Sequence, residues 1–141
     1  MDIQAYRDAF FVDPEPESRY SFAGSFVVTL FFGPFDEAVR YYTAVLGPPA
    51  YVEEEDTRGW RIGSGWLTLL QGEAGGPSNV EVCFRMETAQ EAERLQRAFL
   101  DAGGTGPAPR DELMFEAVRY CPVRDPFGTD LLVFAPLESE G

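Results

Sequence analysis

The chain has 141 residues, of which 45% are hydrophobic and 14% aromatic, enough for one domain with a buried core. Twenty-four acidic residues against 11 basic ones give a net charge of −13, which argues against nucleic-acid phosphates or a membrane surface of anionic lipid as partners. Histidine is absent, which excludes Ser-His-Asp and Cys-His nucleophile pairs, histidine general bases, and imidazole ligation of zinc or non-haem iron.

The opening MDIQAYRDAFF has neither a basic n-region nor a cleavable apolar core, and no apolar run approaches the roughly 18 residues of a membrane span. The expected location is cytoplasmic. Residues 1–20 read as an N-terminal arm, with a short helix ending at Phe11 and an extended DPEPES segment. SFVVTLFF follows as a strong strand. The apolar spacing of Phe35, Ala38, Val39, Tyr42, Val45 and Leu46 then predicts a helix over 35–46, stopped by Gly47-Pro48-Pro49. AYVEEED, RGWRIG and GWLTLLQ are three further strand candidates, and the Gly-Pro-rich GEAGGPS (72–78) reads as a linker.

The second half repeats the order. NVEVCFRM is the strong strand, and a helix runs from about Ala89 to Ala102, with Thr88 and Glu91 at capping-box spacing. Its apolar stripe is Ala92, Leu95, Phe99 and Leu100, and Gly103-Gly104 ends it. A weak strand over Arg110–Leu113, then FEAVRYCPV and TDLLVFA, complete the half. The pattern is β-α-β-β-β written twice with a period of roughly 50 residues, an α+β arrangement. It predicts one domain over 21–141, with modules at 21–72 and 79–137. Cys83 and Cys121 lie in apolar strand-like runs and read as buried free thiols of a reducing compartment.

Within the strong strands one alternating set is wholly apolar: Val28, Leu30, Phe32; Leu67, Leu69; Val82, Phe84, Met86; Leu131, Val133. This set should lie against the helices. The opposite set is mixed: Val27, Thr29, Phe31; Trp66, Thr68, Leu70; Glu81, Cys83, Arg85; Asp130, Leu132, Phe134. A face with aromatics, hydroxyls and a carboxylate suits an organic ligand.

FDEAVRYYTAVLG resembles the first-helix signature of the vicinal oxygen chelate superfamily, which includes glyoxalase I, extradiol dioxygenases and bleomycin-resistance proteins. NVEVCFRMETAQEAERLQRAFLDAGG resembles the start of its second module, and VRDPFGTDLLVF its closing Asp-Pro-x-Gly turn and last strand. The resemblance runs from about Ser25 to Leu137. It implies the glyoxalase/bleomycin-resistance fold, two βαβββ modules forming a cupped mixed sheet with a ligand or metal inside. Counted from the motifs, the family's four metal-ligand positions fall on Val27, Thr68, Glu81 and Leu132. Valine and leucine cannot ligate a cation, so neither a metal nor another cofactor is expected here.

Glu81 has two readings: a structural partner of Arg85, or a group that receives a cationic ligand or acts as a base. Trp60 and Trp66 are either pocket walls or core, and Asp125-Pro126-Phe127-Gly128 is a structural turn. The expected function is metal-independent binding of a drug- or metabolite-like molecule, cationic or aromatic, by a homodimer. Its contacts would be Thr29, Phe31, Trp66, Thr68, Glu81, Arg85 and Leu132. The alternatives are a metal-free isomerase- or lyase-like enzyme with Glu81 as acid or base, and a structural or regulatory dimer with a filled cup.

Overall fold

In the computed structural model, which describes residues 2–137, Asp2 caps a short helix, α1 (Ile3–Phe10), by accepting the Ala5 amide at 2.7 Å. None of its residues is buried. It meets the rest of the chain where the Phe115 amide donates to the Tyr6 hydroxyl at 2.9 Å.

Strand β1 (Val27–Phe32) leads into helix α2 (Phe35–Leu46) and strands β2 (Tyr51–Glu53), β3 (Thr57–Ile62) and β4 (Gly65–Gln71). The order recurs as β5 (Glu81–Arg85), α3 (Ala89–Asp101), β6 (Arg110–Met114), β7 (Glu116–Arg124) and β8 (Asp130–Pro136). Each set makes its own four-stranded sheet, ordered β1-β4-β3-β2 and β5-β8-β7-β6. β1 pairs parallel with β4 and β5 with β8, and the other ladders are antiparallel. Each module's sheet is mixed, as expected; no ladder among the described residues joins the two sheets, and β1 and β5 each lie at an edge.

Local chemistry sets the helix limits. Thr88 accepts the Glu91 amide at 3.1 Å and so starts α3. Gly47, at φ +89°, ends α2 in a conformation that side chains avoid. The Gly47 carbonyl then accepts the Trp60 indole N–H at 2.8 Å, pinning this end of the helix to β3. Trp60 is thus a core residue rather than a pocket wall.

The apolar strand set faces the helices as expected, with Leu30, Phe32, Leu67, Leu69, Val82, Phe84, Leu131 and Val133 buried. Each such side chain stabilises the fold by about 1.5–3 kcal/mol of transfer free energy. This core is continuous across the modules. The Tyr41 hydroxyl donates to the Phe99 carbonyl and the Tyr42 hydroxyl to Asp125, both at 2.8 Å. No helix among the described residues is long and apolar enough to cross a membrane.

Three local expectations change. β2 is shorter than AYVEEED, because Glu54 at φ +53° turns the chain and the acidic run stays in water. β7 begins after Phe115, which occupies the turn at φ +62°. Cys121 is buried but Cys83 is exposed, since it belongs to the strand face turned away from the helices.

Candidate functional site

Pairing of Val27 with Trp66, Thr29 with Thr68 and Phe31 with Leu70 puts these six side chains on the inner face of the first sheet, opposite α2. On the second sheet Glu81 pairs with Asp130, Cys83 with Leu132 and Arg85 with Phe134. Thr29, Phe31, Trp66 and Thr68 therefore share one sheet, and Glu81, Arg85 and Leu132 the other.

The first face is open. Val27, Thr29 and Phe31 are exposed, and Thr68 and Trp66 partly so. Trp66 is the centre of a small cluster: the Arg61 guanidinium carbon lies 4.4 Å from its ring centroid, and Tyr51 meets it edge-on at 6.3 Å. Gly59 lies beneath both rings. A Cβ there would come within 3.2 Å of Tyr51 Cβ and 3.4 Å of Trp66 Cε3, so the missing side chain makes room for the pair. Arg61 and Gly59 are absent from the sequence-based site because only the β3–β4 register brings them beside Trp66 and Thr68.

The second face is largely filled by its own residues. Leu132 is 1% exposed and packs with Val118, Phe134, Met114 and Tyr120, so it offers a ligand almost no surface. Arg85 does not pair with Glu81. Its Nε and Nη2 donate to Glu116 at 3.2 and 3.1 Å. Glu81 stands four positions away along an extended strand, about 13 Å, whereas β7 returns Glu116 beside Arg85.

Glu81 is exposed, and its nearest polar contact is the Cys83 sulfur at 3.9 Å. Desolvation, and then the Glu81 charge, push the Cys83 thiol above its ordinary range, which keeps it protonated and a poor nucleophile. Glu81 also lines a shallow depression of about 260 Å³ with Pro107, Pro122, Arg124 and Asp130. There Arg124 donates to Asp130 at 2.8 Å and holds its carboxyl below the usual range.

Between the free edges of β1 and β5 lies a cavity of about 390 Å³. Phe26, Val28, Trp66, Leu67, Phe84 and Arg85 contribute to its walls. A broader groove of about 990 Å³ runs along α3 beside residues 106–109, but Glu91, Glu93, Arg94 and Arg97 make it a charged outer surface. The smaller cavity, apolar with a few polar groups, has the character of a small-molecule site.

Solved structures share this arrangement of helices and sheets. A glyoxalase/bleomycin resistance protein from Albidiferax ferrireducens is 15% identical, with a TM-score of 0.62 over 77% of this chain and 95% of that one. A glyoxalase/bleomycin resistance protein/dioxygenase family enzyme from Burkholderia phytofirmans is 16% identical, with a TM-score of 0.64 over 79% and 97%. The fold is that of the glyoxalase/bleomycin-resistance proteins. Lactoylglutathione lyase from Agrobacterium tumefaciens has it too, at 15% identity and a TM-score of 0.62 over 82% of this chain and 96% of that one. No family model matches the chain, and no curated protein matches it.

The four positions at which the family resemblance puts metal ligands do not fit a metal here. Val27 and Leu132 have no side-chain donor atoms, which leaves one hydroxyl and one carboxylate, too few for a divalent ion. Among the described residues no three His, Cys, Asp or Glu side chains are grouped to hold an ion.

Proposed function

We propose that this chain is a metal-independent small-molecule binding protein of the glyoxalase/bleomycin-resistance type, working as a cytoplasmic homodimer, that holds a flat, drug- or metabolite-like ligand against Trp66. The observation that carries this reading is the position of Trp66. It walls a cavity of about 390 Å³ and continues into an open inner face bearing Val27, Thr29, Phe31 and Thr68. Binding is favoured over catalysis because Glu81, the candidate acid or base, faces water and lines a different depression.

Calorimetric titration of EDTA-dialysed protein with a neutral planar probe, 2-naphthamide, tests the reading. Saturable heat is expected without added metal. Trp66→Ala should weaken binding about fivefold or more, as the loss of an aromatic contact of about 1 kcal/mol requires. Absence of saturable binding, binding that needs added metal, or equal affinity in Trp66→Ala would overturn it.

A further inference from the structure

Resting on that binding reading, we propose that the ligand is an amphipathic monocarboxylate, its flat apolar body seated in the cleft between β1 and β5 and its carboxylate held by Arg61. The cleft walls are apolar on one side, with Val28, Leu67 and Phe84 from the helix-facing set. The inner-face residues Trp66, Cys83 and Arg85 form the other side. Among the described residues no Asp or Glu lines it, although the chain carries 24 of them.

Two carboxylates beside these side chains are already committed, and a third is displaced. Glu116 holds Arg85 in a two-point ion pair, and Glu53 accepts the Tyr51 hydroxyl at 2.9 Å. Glu81 stands at the opposite end of β5 from Arg85. The charge beside the cleft is therefore the reverse of the one suggested by Glu81 in the sequence.

Arg61 differs from the chain's paired arginines. Arg85, Arg94, Arg110, Arg119 and Arg124 each form an ion pair, whereas Arg61 has neither an ion pair nor a side-chain hydrogen bond among the described residues. Its partner is the Trp66 ring. A ring partner takes up none of the guanidinium N–H donors in hydrogen bonds to oxygen, so they stay available to grip a carboxylate with two parallel hydrogen bonds. Trp66 touches both the cleft and Arg61, so one bound molecule can bury its body and pair its charge.

The experiment is a calorimetric comparison of three matched probes at pH 7: 2-naphthoate, 2-naphthamide and 2-naphthylmethylamine. The acid should bind about tenfold tighter than the amide, a difference of about 1.4 kcal/mol, and the ammonium compound weakest. Arg61→Gln should abolish the acid's advantage over the amide, and Arg61→Lys should keep part of it. If the amide or amine binds as tightly as the acid, or the preference survives in Arg61→Gln, the carboxylate assignment is wrong and the binding reading stands. If no probe binds, both fall.

Discussion

Asp125 is 3% exposed and accepts three hydrogen bonds, from the Tyr42 hydroxyl at 2.8 Å, the Phe127 amide at 2.9 Å and the Thr129 amide at 2.8 Å. The two amides belong to the turn that the Asp-Pro-Phe-Gly motif predicts, and Gly128 takes the expected positive φ. The tyrosine comes from 83 residues away, and no local pattern reveals it. The same contact makes alkaline stability a readout. Burial, then the Asp125 charge, raise the Tyr42 phenol far above its ordinary value of about 10. Above pH 10 the unfolded chain ionises this tyrosine while the folded chain keeps it neutral. The unfolded state then holds fewer protons, and stability falls as pH rises, by about 1.4 kcal/mol per pH unit for this one group. The stabilisation is complete below pH 10. Urea unfolding between pH 8 and 11 should show the decline, and Tyr42→Phe should reduce its slope. At neutral pH that variant should lose about 1–3 kcal/mol, because a buried carboxylate loses a donor. Equal alkaline slopes in the two proteins would contradict the assignment.

Elements with strong periodicity were legible from the sequence. α2 spans the residues that its apolar spacing predicts, and α3 starts at the Thr88 cap and ends one residue short of expectation, at Asp101. These signals are local, carried by i, i+3 and i+4 neighbours and by the Gly residues beyond the helices. The polar member of the α3 core face was not legible. Gln96 is buried, and its amide donates to the carbonyls of Pro107 at 3.0 Å and Pro122 at 2.9 Å. One side chain thus ties α3 to β7 and to the chain leading into β6, a role visible only once the elements are packed. Gln96→Leu fits the apolar stripe better by composition, yet it leaves two acceptors without this donor. The expected cost is about 1–3 kcal/mol in urea unfolding, against about 0.5 kcal/mol or less for the exposed neighbour in Arg97→Leu. A Gln96→Leu protein as stable as the parent would show that water replaces both bonds without penalty. Strand phase behaved like the helices. Alternation alone placed Thr29, Phe31, Trp66 and Thr68 on one face, but strand packing was needed to add Arg61 and to bring Glu116 to Arg85.

The whole molecule exposes more large apolar side chains than its core requires. Phe22, Phe26, Val27, Phe31 and Phe115 are 80%, 88%, 65%, 57% and 71% accessible. Phe26, Val27 and Phe31 fall on or beside β1, whose outer edge carries no strand partner among the described residues. Isolated exposed apolar residues are ordinary, but an apolar strip along an open strand edge favours association with another surface. A second copy is the partner that the proposed homodimer supplies, and it would cover surface that the 15.7 kDa chain leaves in water. Light scattering at micromolar concentration should give about 31 kDa, twice that mass. Phe26→Asp combined with Phe31→Asp should return the single-chain mass without changing the far-ultraviolet dichroism, because neither side chain is buried in the core. The unfolding midpoint should also lose its dependence on protein concentration, since association stabilises by mass action. A parent protein that scatters as 15.7 kDa would remove the dimer from the proposal.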